Sequence, residues 1–237
     1  MATVTVEVTI EGTRPLLWHH FGPDAIPLEA KPRTGKAGND PDEWKKTVLA
    51  TEDGQLYVEA SYVFACLRAG AKHTPRKRGT MQPFVGATLQ VLEDRILIDR
   101  WLPKRDLQTL QRSREEPVYL DVQSVRNPAT GGRNVRYRVA ASPGWKGAFT
   151  LKFDNTLVSA AEMESIIRDA GKFAGLGDGR TIGFGRFELR SIKTVTHSDG
   201  ANAQKQTTTK HLERNSKKGV GARRTKVPSV PHSGSAE

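Results

Sequence analysis

The sequence predicts an α+β fold, an antiparallel sheet with two packed helices, a long inserted loop and a basic hairpin. Three observations carry this. Residues Thr3 to Glu11 alternate strictly between polar and apolar, two later stretches repeat apolar residues at helical spacing, and most of the remaining chain up to about residue 195 reads as short strands joined by turns. A chain of 237 residues with 36% hydrophobic residues buries one core but is short for two full domains.

Each element follows from its local pattern. Val4, Val6, Val8 and Ile10 face one way along the first strand, opposite Thr3, Thr5, Glu7, Thr9 and Glu11. Five prolines (Pro15, Pro23, Pro27, Pro32, Pro41) with Gly22, Gly35 and Gly38 then break regular structure over some forty residues, so a long loop is expected, flexible over 31–46. Inside it Lys31, Arg33, Lys36, Lys45 and Lys46 stand near Trp44, a set suited to phosphates and one stacked base, or equally to a solvated loop. A short strand over Leu56 to Val58 precedes a helix from Ser61 to Ala71, whose stripe is Tyr62, Ala65, Cys66 and Ala69, with Ser61 as N-cap.

Immediately after that helix comes the densest basic run, Lys72, His73, Thr74, Pro75, Arg76, Lys77 and Arg78. Complementing a helix dipole explains one or two of these charges, not five. Strands are predicted over Thr88 to Leu102 and Phe149 to Phe153. The segment 118–140 reads as a hairpin turning at Asn127 to Gly132 and carrying Arg126, Arg133, Arg136 and Arg138. A second helix runs from Ser159 to Phe173, opened by the capping box Ser159/Glu162, with Ala160, Met163, Ile166, Ile167 and Ala170 inward. A last strand covers Phe184 to Val195, and 197–237 has the composition of a disordered basic tail.

The charge points to a polyanionic partner. The net formal charge is +11, of which the tail's eight Lys or Arg and three acids supply +5, leaving +6 on residues 1–196. Because a folded basic face implies a shaped site, the whole of 1–196 is read as the binding domain. Nothing approaches the roughly 18 apolar residues of a membrane span, and the N-terminus has no secretory layout. A cytoplasmic protein without membrane contact is expected. The single Cys66 sits in an apolar stretch and reads as a buried thiol, and no His or Cys spacing suits zinc, so no metal or cofactor is expected.

The most specific motif joins the second helix to the last strand. Gly175, Gly177, Gly179, Gly183 and Gly185 fall within eleven residues, interrupted by Asp178 and Arg180 and followed by Arg186. Glycines there allow positive φ and close approach of backbone amides to an anion, and Arg180 adds a bidentate phosphate contact. Nucleotide-binding glycine turns follow a strand and open a helix, whereas here the order is helix, turn, strand. A helix cap and a bend would need one or two glycines, not five.

On these residues, Gly175, Gly177, Gly179, Arg180, Gly183, Phe184 and Gly185, the chain resembles the RAMP superfamily, ferredoxin-like RNA-binding proteins that build CRISPR effector complexes and process their guide RNAs. Element order extends the resemblance over 1 to 195, with only the glycine loop specific. It implies a ferredoxin-like (RRM-like) sheet, and most nearly the repeating backbone subunit that coats a guide RNA, with 118–140 as its protruding thumb. The implied partners are single-stranded guide RNA, a target RNA or DNA, further copies of the chain and other effector subunits.

Three functions compete. The favoured one is guide-RNA coating through the phosphate backbone, without catalysis. A metal-independent endoribonuclease would use His19 or His20, which stand among Leu16, Leu17, Trp18 and Phe21, and relatives that cut target RNA with a loop aspartate point to Asp40, Asp42 or Asp24. Turn formation beside Pro41 accounts better for those aspartates. The third is a stand-alone single-strand-binding protein of a phage or mobile element.

Overall fold

The computed structural model describes residues 2–22, 40–126 and 131–195. Lys31, Arg33, Lys36, Asp24, the hairpin turn Asn127 to Thr130 and the tail from 196 onward lie outside the described residues.

Strand β1, Thr3–Gly12, buries Val6, Val8 and Ile10 as its alternation requires. After it come β2 (Leu16–Leu17), a short helix α1 (Glu43–Thr47), β3 (Gln55–Glu59), helix α2 (Ala60–Gly70), the small hairpin β4 (Pro75–Arg76) and β5 (Gly79–Thr80), helix α3 (Gln82–Thr88), β6 (Gln90–Val91) and β7 (Arg95–Trp101). The chain ends its described part with β8 (Val118–Arg126), β9 (Arg133–Ala141), β10 (Lys146–Asp154), helix α4 (Ala160–Asp169) and β11 (Phe187–Thr194).

The main sheet is antiparallel and ordered β11-β1-β10-β7-β3, with β6 also paired to β10. Six of its elements run β1-α2-β7-β10-α4-β11 in sequence while their strands lie β11-β1-β10-β7 in space, so the fold is ferredoxin-like and α+β. Helix α2 packs on α4, and both bury apolar stripes against the sheet. Two insertions extend this frame, the second within the connection between the neighbouring antiparallel strands β7 and β10. One, between β1 and α2, carries β2, α1 and β3; the other, between β7 and β10, carries the β8–β9 hairpin.

Several local expectations shift. The α2 stripe is Val63, Cys66, Leu67 and Gly70, one residue away from the predicted one, leaving Ala65 exposed and Tyr62 half-buried. Ser61 does not cap it: Glu59 holds the N-cap position and accepts a hydrogen bond from the Ser61 hydroxyl. The expected strand over Thr88 to Leu102 is interrupted, because α3 runs to Thr88 and β6 and β7 are separated at Glu93, whose carboxylate accepts the Thr150 amide. In α4 the capping box forms as expected, with Ser159 Oγ accepting the Glu162 amide at 3.3 Å and Glu162 Oε2 accepting the Ser159 amide at 2.8 Å. Ala160 is exposed rather than inward, and the last turn, Ala170–Ala174, is a π-turn. Burial pushes the Cys66 thiol up to about 12, so it packs as an apolar group.

Candidate nucleic-acid interface

The hairpin forms in full register, from Val118 opposite Ala141 to Arg126 opposite Arg133. It is not an edge of the main sheet. Its base is buried and completed by β2, giving a separate sheet ordered β2-β9-β8. At the other end Arg126 and Arg133, both exposed, face each other across the strands. Like charges directly opposite repel, so this end favours a polyanion.

The glycine-rich loop is a packed structure rather than an open row of amides. Its amides at Gly175, Leu176, Asp178 and Gly185 donate to the carbonyls of Ala170, Gly185, Leu17 and Pro15, at 2.8–2.9 Å. A Cβ at Gly185 would fall on the Leu176 carbonyl oxygen, and one at Gly177 would meet the Leu17 carbonyl, so these positions are glycine because two backbones touch. Gly175 and Gly179 are likewise hemmed by Phe184. Only Gly183, at φ +92°, opens to free space. The glycines thus fold the loop onto β2, and what they present outward is the short 3-10 turn Arg180–Ile182.

Two ion-pair knots tie this loop, the hairpin and α1 together. Arg138 of β9 is buried, its guanidinium donating to Asp121 Oδ2 and to Asp178 Oδ2 at 2.9 Å each. Glu43 of α1 accepts from Arg136, from the Tyr137 amide at 3.3 Å, and meets His19 Nε2 at 3.1 Å. Burial alone would raise both carboxyls. For Asp178 the Arg138 bond, the Gly179 amide and nearby positive charge outweigh it; for Glu43 His19, Arg136 and the Tyr137 amide do, and each carboxyl is held below its ordinary value.

Between loop and hairpin lies a cleft of about 500 Å³, lined by the Arg180–Ile182 turn, Arg136, His19, Phe21 and Val125. A smaller cavity of about 210 Å³ adjoins it, bounded by His19, Tyr62, Ala65 and Arg180. Arg180 is exposed and has no carboxylate partner among the described residues. Three large apolar side chains remain exposed at the cleft: Phe21 at 54%, Ile182 at 65% and Val125 at 39%. Apolar surfaces beside an unpaired arginine suit bases beside phosphates.

The other predicted contacts scatter. Arg138 is spent inside the fold, where a partner needs it buried, so the expectation that it touches RNA is corrected. Arg136 is half-buried and shared with Glu43. Arg76 is also structural: it lies over the Phe84 ring at 4.0 Å and donates to the Leu157 carbonyl. Lys72, His73, Lys77 and Arg78 stay exposed, the His73 ring lying tilted against Phe173 with centroids 4.6 Å apart and Lys77 turning at φ 49°. Arg76 reaches the Leu157 carbonyl just before α4, while Thr74 Oγ1 donates to Asp169 Oδ2 at 3.0 Å at the C-terminal end of that helix, so the run spreads along α4 away from the loop instead of gathering at Arg180. Lys45 pairs with Asp42 at 2.8 Å, Lys46 is exposed, and Trp44 packs half-buried against the core instead of standing free for a base. Arg186 is half-buried, one nitrogen reaching the Arg180 carbonyl at 3.4 Å.

His19 and His20 point apart, as adjacent loop residues must. His20 Nδ1 meets the Tyr62 hydroxyl at 2.8 Å and its Nε2 lies 3.7 Å from Glu59. Asp40 accepts the Asp42 amide, a turn bond. Among the described residues no His, Cys, Asp and Glu cluster could hold a metal, and no helix is long and apolar enough to cross a membrane. The residues missed by pattern reasoning are the carboxylates Glu43, Asp121 and Asp178. A signal existed for Asp121, the one charge in the apolar run Val118 to Val122, because a charge there needs a buried partner.

No protein-family model matches the chain, and no curated protein matches it. Among solved structures it is similar to a chain in the cryo-EM structure of the type III-B Cmr-beta bound to cognate target RNA, at 15% identity and a TM-score of 0.43, covering 82% of this chain. The similar region spans 61% of that chain, less than two thirds of its length.

Proposed function

We propose that this protein is an RNA-binding backbone subunit of a CRISPR-type ribonucleoprotein, which coats a guide RNA through its phosphate backbone and presents it for pairing. The observation that carries the reading is the cleft: an exposed, unpaired Arg180 on a rigid glycine-built turn, facing Phe21, Val125 and Ile182 across about 500 Å³. The turn that carries this cation is already ordered, so binding a phosphate costs only side-chain freedom, and the apolar groups accept any base face. In this reading residues 1–196 form the binding domain, the hairpin is a wedge between bases, 197–237 adds nonspecific charge, and the protein acts in the cytoplasm with further copies and other effector subunits. The glycine layout around Arg180 and Gly183-Phe184-Gly185, on a ferredoxin-like frame, supports the RAMP resemblance.

A second reading, a metal-independent endoribonuclease, is favoured by His19, which borders both cavities and is oriented by Glu43. Recovering the protein with its nucleic acid and sequencing that material tests both. Intact repeat-derived guides that protect a fixed length per copy support the first. Fragments that vanish with His19→Ala support the second, and random host RNA or DNA favours a stand-alone single-strand-binding protein.

A further inference from the structure

A second cationic groove begins where the Arg180–Arg186 stretch ends. It encloses about 730 Å³ between the C-terminal end of α4 with its π-turn, the start of β11, and the turn at Thr13 and Arg14. Its frame is rigid. The Thr13 and Arg14 amides both donate to the Arg186 carbonyl, at 2.8 and 3.3 Å, and the Arg14 carbonyl accepts from Trp145 Nε1 at 2.9 Å. Gly171 allows the π-turn to lie directly on the Phe187 carbonyl, where any side chain would collide.

Five cations line this groove against a single lining carboxylate, Glu188. Two are answered within the fold, Arg168 by Glu164 and Arg190 by Glu11 and Glu188. Among the described residues no carboxylate pairs with the other three, Arg14, Lys172 and Arg186. Arg186 is the most enclosed of the three: its Nη1 is buried without a hydrogen-bond partner, and Nη2 has only the long contact to the Arg180 carbonyl. Nη1 is closed off from solvent, so Arg186 acts on an anion in the groove through its charge rather than through a bond from Nη1. The three unpaired cations come from three separate elements, so they suit successive charges on an extended ligand better than one small anion.

We propose that this groove binds a second stretch of phosphodiester backbone of single-stranded RNA, continuing the path from the cleft. The continuity rests on the reading of the cleft as an RNA site. Arg180 and Arg186 stand at the two ends of one seven-residue stretch, and between them Gly183 leaves open space, so a strand held at Arg180 meets Arg186 next.

The test is the double variant Arg14→Ala/Lys172→Ala, both side chains being exposed, with Arg180→Ala in parallel and poly-U of increasing length titrated across a salt series. Two lost phosphate contacts should lower the salt slope by about 1.4, since each single-strand contact contributes about 0.7. The gain in affinity on lengthening the oligonucleotide should shrink, while the shortest oligonucleotides that bind should be held as by the wild type. The charge-keeping variant Arg14→Lys/Lys172→Arg should restore slope and length dependence, separating charge from any change in folding. An unchanged slope and length dependence in the double variant, with Arg180→Ala weakened, overturns the groove and leaves the cleft. Weakening by the double variant with Arg180→Ala unaffected keeps the groove and removes the cleft. RNA binding unchanged but binding to polyglutamate lost would assign the groove to an acidic protein segment and overturn the proposal.

Discussion

Asp178 of the glycine-rich loop and Arg138 of β9 are joined at 2.9 Å, and Arg138 carries Asp121 at the same distance on its other nitrogen. One buried guanidinium therefore fastens the loop to the hairpin across the floor of the cleft. Its side chain is 4% exposed and that of Asp121 5%. Removing one member of such a pair leaves the other charge buried alone. Arg138→Ala should thus cost about 3–5 kcal/mol of stability, read as the shift of the urea midpoint. A variant with wild-type stability and weakened RNA binding would return Arg138 to the ligand surface.

Acid should loosen the same junction. Asp178 and Glu43 are held below their ordinary values of 3.8 and 4.5, so in that range the unfolded chain binds more protons than the folded one. Their contribution is complete above the ordinary values and is lost as pH falls through the lower folded ones. Urea midpoints measured from pH 7 to pH 3 should drop below about pH 4.5, and less steeply in Asp178→Asn, which has one carboxylate fewer to lose. An equal drop in that variant would show that Asp178 does not contribute.

The glycines should separate by what stands beside them. Gly185→Ala drives a methyl into the Leu176 carbonyl at φ +69° and should unfold the loop, lowering stability and RNA affinity together. Gly183→Ala meets no atom within 4 Å and pays only for a left-handed backbone, about 1–2 kcal/mol. Gly183→Val adds a β-branched side chain over the open face and should weaken RNA binding more than stability. Parallel thermal melts and titrations distinguish the cases. If Gly183→Val binds as the wild type, RNA does not cross that face.

Arg180→Ala should cost about 1.5–3 kcal/mol in RNA affinity if the guanidinium meets a phosphate, with little change in thermal stability because the side chain is exposed and unpaired in the fold. Phosphate contacts carry no base information, so poly-U and a mixed sequence should lose equally. Lys77→Ala, on the exposed turn between β4 and β5, should lose less. A loss confined to one sequence would mean base readout instead.

Much of this protein was legible before folding. The period-2 pattern of β1, the capping box of α4, the hairpin flanking Asn127 to Gly132 and the five clustered glycines are local in origin, set by backbone sterics and by which faces must leave water. Charge likewise raised the expectation of a polyanionic partner. What neighbouring residues could not decide was which cations remain free. Arg136, Arg138 and Arg180 look alike in sequence, yet Arg138 is consumed by Asp121 and Asp178, Arg136 is shared with Glu43, and Arg180 alone faces outward unpaired. Those pairings join residues 17 to 93 positions apart, and only the packing of β2, the hairpin and the loop brings them together. A buried charge must find its partner wherever the chain places one, which is a property of the tertiary structure.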